Sequence, residues 1–153
     1  PRQHMRKMKV GKVTFTEAYK AVNEYRQKFP QKAVTFYAQN YPAMGWAVFM
    51  AGGSCPVIPC TDKAFLKDAA AMEVEETNTD EYKKMVKSDI GSIIYSKSGT
   101  EIPVQLSSGK YVLKYIHPAS GKIETINKSL KINGLYKLKV PDKKEGIYWF
   151  HKL

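Results

Sequence analysis

Apolar residues recur every three or four positions between residues 15 and 29, which is the spacing of one face of a helix. Thr14 and Glu17 have the spacing of a capping box, and Pro30 cannot continue a helix. The pattern therefore predicts a helix over 14–29 that buries one side.

Strand-like and helix-like segments alternate over the next part of the chain. The runs 32–37 and 55–59 are short and apolar, as buried parallel strands are, and 43–51 and 62–76 are predicted to be helices. This alternation is typical of α/β units. The segment 43–51 is apolar on nearly every side, and two such units cannot cover it. We expect either the last part of a larger (β/α) domain or a chain that recruits a partner.

From residue 90 onward the pattern changes to six short runs of β-forming residues, separated by turn residues about every ten positions. Such spacing is typical of an antiparallel sandwich or barrel. The runs are GSIIYSK, EIPVQL, KYVLKYIHP, KIETINKSL, LYKLKVP and GIYWFHKL, with turns at 98–99, 107–109, 119–121, 133–134 and 142–146. Apolar residues and lysines alternate in the fifth run, which predicts one buried and one solvated face.

A charged segment at 78–87, in which Asn78 and Glu81 have capping-box spacing, is predicted to be a helix joining the halves. The sequence thus predicts an α+β fold in three parts. These are the end of a larger (β/α) domain at 1–76, a helical linker at 77–89 and a β-sandwich at 90–153.

Three stretches resemble the C-terminal part of glycoside-hydrolase-like proteins, which have a (β/α)8 (TIM) barrel followed by a small β-sandwich often labelled collagen-binding. They read KAVTFYAQNYPAMGWAVFMAGGSCPVIP, FLKDAAAME and IIYSKSGTEIPVQLSSGKYVLKYIHPASGKIETI, and the likeness covers about residues 13–153. The resemblance implies an extracytoplasmic protein. It also implies helix 6 at 14–29, strand 7 at 32–37, helix 7 at 42–52, strand 8 at 55–59 and helix 8 at 62–76.

Barrel active sites lie at the carboxyl ends of the strands, where a glycosidase places two carboxylates. The resemblance puts one of these acids on strand 4, upstream of this chain, and the other at the end of strand 7. That end reads Ala38, Gln39, Asn40, Tyr41, and an amide cannot act as nucleophile or general base. We therefore assign no catalytic residue to this chain. Either the register differs, another carboxylate serves, or hydrolysis has been lost.

Substrate-binding candidates are aromatic and amide residues at the expected mouth of the barrel. Tyr37 and Tyr41 could stack on sugar rings, and Gln39 and Asn40 could hydrogen-bond their hydroxyls; ordinary loop packing is the alternative.

A second group of aromatic residues lies in the sandwich. Tyr111, Tyr115, His117 and Trp149 would form a carbohydrate- or protein-binding surface if exposed. The alternative is that they form the sandwich core or its contact with the barrel, and Trp46 is predicted to be core.

The remaining acids suggest little chemistry. Glu73, Glu75 and Glu76 are predicted to form a solvated helix face, and Asp62 and Asp68 to be a helix cap and a surface charge.

Cys55 and Cys60 have neither redox nor zinc spacing. We interpret them as small apolar residues, with a disulfide as the alternative. No metal-ligand cluster, cofactor motif or membrane-length apolar run is present in the sequence.

The formal net charge of +11 raises the possibility of nucleic-acid binding, but only three of 25 basic residues are arginine, and no recognition motif is present. The leading hypothesis is the C-terminal segment of a glycoside hydrolase, whose sandwich braces the barrel or assists carbohydrate binding. The partner would be a carbohydrate or glycoconjugate, with the rest of a longer chain or a second copy covering the helices. The alternatives are a non-enzymatic carbohydrate- or matrix-binding module and, second, a basic nucleic-acid-binding protein.

Overall fold

A computed structural model describes residues 13–37, 41–97, 99, 101–142 and 145–153, with backbone alone at 41–43. Its helices and strands follow one another in two groups, helices first. They are α1 (Phe15–Lys28), α2 (Tyr41–Met50), α3 (Lys63–Ala71), β1 (Glu73–Glu75), β2 (Tyr82–Lys87), β3 (Gly91–Ser96), β4 (Glu101–Ile116), β5 (Ile123–Lys139) and β6 (Gly146–Lys152).

The capping box predicted for α1 is present. The Thr14 hydroxyl accepts from the Glu17 backbone N–H, and the Glu17 carboxylate accepts from the Thr14 N–H at 2.9 Å. These bonds satisfy backbone donors that the first turn leaves open. The pKa of Glu17 is lowered by the bonds that its carboxylate accepts from the Thr14 backbone N–H and, second, from the Thr14 hydroxyl. The helix buries its predicted apolar side through Ala18, Tyr19 and Val22, so its prediction is confirmed.

Helix α2 is buried from Gly45 to Met50, as its apolar sequence requires. A β-carbon on Gly45 would collide with the carbonyl of Val57, so glycine lets the chain at 57–60 cross close to the helix. Gly121 makes the same kind of approach from the other side, since its β-carbon would meet the Pro59 carbonyl. The segment 57–60 is therefore held between α2 and a turn of the sheet.

The strands predicted at 32–37 and 55–59 are not formed. Two hydrogen bonds join these regions, Ser54 N–H to the Val34 carbonyl at 2.7 Å and Val34 N–H to the Ser54 hydroxyl at 3.3 Å. Prolines at 56 and 59 lack the N–H that a ladder needs, so pairing stops there. The part of the chain that the structure describes contains no parallel strand pair, and the barrel stays a prediction.

The helical linker predicted at 78–87 is also wrong. The helix before it ends at Ala71 rather than 76, and β2 occupies 82–87, pairing with β3 along its whole length. The hydroxyl of Thr79 accepts from the Glu81 N–H at 3.1 Å and forms a tight turn instead of a helix start. Pairing with β3, which follows after the turn at 88–90, has overridden the helical signal.

The strands form a six-stranded antiparallel sheet with the order β1-β2-β3-β6-β4-β5. Four of the predicted runs join into the long strands β4 and β5, because the predicted turns at 107–109 and 133–134 are irregularities in the ladder rather than reversals. The turn at 119–121 is confirmed, with the Gly121 N–H bonded to the His117 carbonyl at 2.8 Å.

Both faces of the sheet are covered. Ile93 and Trp149, paired on β3 and β6, face the three helices and share one core with them. Ile94 and Tyr148, the next pair, face the opposite way. On that face, the first half of β4 and the second half of β5 extend past the end of β6 and cover Ile94 and Tyr148. The result is a β-sandwich-like arrangement. The fold is therefore α+β, as predicted. None of the described helices has the length and apolar character needed to cross a membrane.

Candidate functional site

The residues predicted at the barrel mouth are only partly placed. Tyr37 is 92% exposed, as a stacking residue would be. Gln39 and Asn40 lie outside the described residues, and Tyr41 begins α2 without a described side chain. The substrate-binding role of this group stays a prediction.

The predicted aromatic surface of the sandwich is not formed. Tyr111 and Trp149 are 0% exposed, and Tyr115 is 3% exposed. Trp149 faces the helices, whereas Tyr111 and Tyr115 lie on the opposite face of the sheet, in the core that contains Ile94 and Tyr148. Neighbouring positions of a sheet alternate between its two faces. The alternative interpretation, that these residues are core, is the correct one for all three.

His117 is half-buried beside the turn that follows β4. Its Nε2 lies 2.9 Å from Glu124 Oε1, and this contact is the main cause that lowers the pKa of Glu124. The residue thus contacts a surface carboxylate next to the cleft described below.

A buried polar cluster links α3 to the last strand. Asp68 Oδ2 accepts from the Trp149 indole N–H at 2.9 Å and lies 2.7 Å from His151 Nδ1. Asp68 is buried, so its prediction as a surface charge is wrong. Its burial follows from its place in the apolar stripe of α3 with Phe65 and Ala69.

This arrangement orients the imidazole of His151. The bond at Nδ1 is made to a buried carboxylate, and the side chain of His151 is 32% exposed. Lys114 covers the ring of Trp149, with Nζ 4.2 Å from its centroid. Across the described residues, no hydroxyl or thiol is hydrogen-bonded to the imidazole of His151, so a nucleophilic triad is not assembled.

The sequence contained a signal for this cluster that we did not use. Asp68 interrupts an otherwise apolar helical stripe, and His151 alternates with Ile147 and Trp149 on one face of β6. A polar residue within each apolar face indicates that the two faces meet there.

An open cleft of about 670 Å³ lies where the helices meet the sheet. Phe15 of α1 and Tyr95 of β3 stack in it with centroids 3.9 Å apart and planes at 8°. Trp46 lines the cleft too, and its indole N–H donates to the Pro118 carbonyl at 2.8 Å. Its walls also include the segment 57–59.

One carboxylate borders this aromatic cleft. Glu145 accepts from the Tyr95 hydroxyl at 2.6 Å through Oε1, and its backbone carbonyl accepts from the Tyr115 hydroxyl at 2.7 Å. Burial, followed by the bond to Glu145, raises the pKa of Tyr95. Aromatic and apolar walls beside an acceptor oxygen can hold a sugar ring or another flat, hydroxyl-bearing ligand. The cleft was not predicted because its residues come from distant parts of the chain.

Other sequence predictions have clear outcomes. Asp62 caps α3, accepting from the Phe65 N–H at 2.8 Å. Neither cysteine is in a disulfide. Cys55 is exposed and Cys60 is buried, and burial raises the pKa of Cys60. Within the described ranges, no group of three His, Cys, Asp or Glu residues could hold a metal ion.

Residues 1–72 match the model of a family described as a domain of unknown function, DUF6298. No curated protein matches the chain. One solved structure, titled "Glycoside hydrolase", aligns with 52% of this chain at 16% identity and a TM-score of 0.39, and the alignment spans only 19% of that structure's own chain. At these values the likeness supports no inference about fold or activity.

Proposed function

We propose that this chain is the C-terminal part of an extracytoplasmic glycoside-hydrolase-like protein, in which the β-sheet domain braces the end of the catalytic barrel. The sequence resemblance over about 13–153 supports the family. The bracing role is supported by one observation, the packing of Trp149 in β6 against Phe65 in α3, with ring centroids 5.4 Å apart.

This contact supports a brace rather than an independent binding module. A module that only needs the helices as a support would present its aromatic strip to solvent. Here Trp149 is buried in the same core as Trp46 and Phe49 of α2. Separating the helices from the sheet would expose this core to water, which would cost about 25 cal/mol of free energy for each Å² of apolar surface exposed. The sheet therefore holds α2 and α3 in place.

On this proposal the hydrolytic carboxylates lie upstream of residue 1. The test is to isolate the natural polypeptide with an antibody to this chain and to measure its intact mass and its release of reducing sugar from polysaccharides. We expect a mass well above 17.4 kDa and hydrolytic activity. A polypeptide of 17.4 kDa without activity would overturn the proposal.

The bracing role has its own test in the natural full-length protein. We expect Phe65→Ala to lower the temperature at which hydrolysis is lost, because Phe65 is fully buried between α2 and the sheet. Leu66→Ala is the matched control on the same helix, since Leu66 is 41% exposed. Equal thermal inactivation of both variants would contradict bracing.

A second candidate role is sugar binding in the cleft, and the stacked Phe15–Tyr95 pair beside Glu145 favours it. The probe is an array of neutral oligosaccharides. We expect Phe15→Ala to weaken any binding that the chain shows, while Leu66→Ala leaves it unchanged. Binding that Phe15→Ala does not alter would place the sugar elsewhere.

A further inference from the structure

Two lysines face each other across the β4–β5 hairpin. Lys110 and Lys131 are directly opposite in the antiparallel register, so their side chains leave the ladder on the same side, and both are exposed. Neither forms an ion pair with a described residue. Like charges at such positions repel and destabilise the sheet. The pair is therefore a place where an added anion would stabilise the hairpin.

The positive charge continues along the same face of β5. Lys137 and Lys139 are exposed at alternate positions, in phase with Lys131, so all three point away from the buried side. We call Lys110, Lys131, Lys137 and Lys139 the lysine face. The hairpin from 101 to 139 contains seven lysines and two glutamates, with no aspartate or arginine.

The lysine face already binds one carboxylate. Glu101, opposite Lys139 in the register, lies with its Oε1 2.9 Å from Lys137 Nζ. This contact is the main cause that lowers the pKa of Glu101. A lysine of this face therefore favours an ionised carboxylate at contact distance.

We propose that the lysine face binds a carboxylated polysaccharide, a chain of uronic acid sugars. Lys137 and Lys139 are two positions apart and therefore about 7 Å apart along the strand, which suits a repeating anion. Charge complementarity and the Glu101 contact favour carboxylates.

Nucleic acid suits the face less well. The described positions of the lysine face on β4 and β5 carry no aromatic side chain on which a base could stack and no arginine that could bind phosphate through two hydrogen bonds.

The inference rests on the proposed function in one respect, because it names the substrate class of that glycoside-hydrolase-like protein.

Polygalacturonate is the probe, and fully methyl-esterified polygalacturonate is its uncharged counterpart. Binding to this chain is measured by titration calorimetry at several salt concentrations. We expect binding to polygalacturonate that weakens as salt rises, and none to the ester. Lys110→Gln with Lys131→Gln should weaken binding by roughly ten- to thirty-fold, since one lysine at an anionic surface contributes about a factor of five.

The matched control is Lys63→Gln with Lys67→Gln, two exposed lysines on α3. It removes the same charge, and binding should change by less than about twofold. An unchanged melting temperature shows that both variants fold. Equal losses in the two variants, no binding to polygalacturonate, or tighter binding to dextran sulfate or duplex DNA would each overturn the inference. A natural polypeptide of 17.4 kDa that still binds through the lysine face would overturn the proposed function alone.

Discussion

The indole of Trp149 donates a hydrogen bond to Asp68 Oδ2 across 2.9 Å, between the last strand and the last helix. Trp149 is fully buried, so its N–H has no access to water. The same carboxylate oxygen holds His151 at 2.7 Å. One buried acid thus satisfies two groups on β6 and fixes α3 over the sheet.

Asp68→Ala should lower the free energy of unfolding by about 1–3 kcal/mol, because it leaves a buried indole N–H without an acceptor. Urea denaturation at neutral pH measures this loss. Asp89→Ala removes an exposed carboxylate in the turn between β2 and β3 and should change stability by less than about 0.5 kcal/mol. If both variants lose the same amount, the Asp68 bond contributes nothing beyond its charge.

Phe65→Ala should lower the free energy of unfolding by about 3–5 kcal/mol, because it leaves a cavity among Trp46, Phe49 and Trp149.

The helices and the sheet share this core, so they should unfold together. Far-ultraviolet circular dichroism and tryptophan fluorescence should therefore give coincident transitions in the unmodified chain. Two separated transitions would contradict a shared core.

Local signals predicted local structure well. The Thr14–Glu17 box and Pro30 defined α1 within a residue or two, because a helix end depends on neighbours three or four positions away. The helix predicted over 78–87 is wrong although the competing contact is also close in sequence. β2 pairs with β3 across the turn at 88–90, and sheet pairing prevailed over the capping pattern at 78–81.

The candidate sites were harder to predict because their residues are far apart in the sequence. Asp68 and His151 are 83 positions apart, and Phe15 and Tyr95 are 80 apart. No spacing rule joins such residues until the fold places them together. The buried aromatic residues of β4 and β6 show the converse, since composition alone could not distinguish a surface strip from a core.

Lys131→Glu should raise the free energy of unfolding by about 0.5 kcal/mol, because it converts a like-charged cross-strand pair into an attractive one. Lys110→Glu should do the same. The double variant restores two like charges and should lose the gain, so a double-mutant cycle measured at low salt isolates the pair. Additive gains would show that Lys110 and Lys131 do not interact.

The alkaline limit of stability should depend on buried tyrosines. Burial raises the pKa of Tyr148 to about 12, with a smaller effect from Tyr115, and burial with Glu76 raises the pKa of Tyr19 to about 12. An unfolded tyrosine has a pKa of about 10. Between these values the unfolded chain loses the proton first, so it binds fewer protons than the folded chain. The contribution of these two tyrosines to the free energy of unfolding should therefore be complete below about pH 10 and decrease as the pH rises towards 12.

Tyr148→Phe isolates one of these groups. Its hydroxyl has no hydrogen-bond partner among the described residues, so the variant should be as stable as the parent, or more stable, at pH 7. Between pH 10 and 12 its stability should fall less steeply, by up to about 1.4 kcal/mol for each pH unit. Urea denaturation at each pH gives these slopes. If Tyr148→Phe follows the parent curve, the Tyr148 hydroxyl ionises as readily in the folded chain as in the unfolded one, and the alkaline loss must come from other groups.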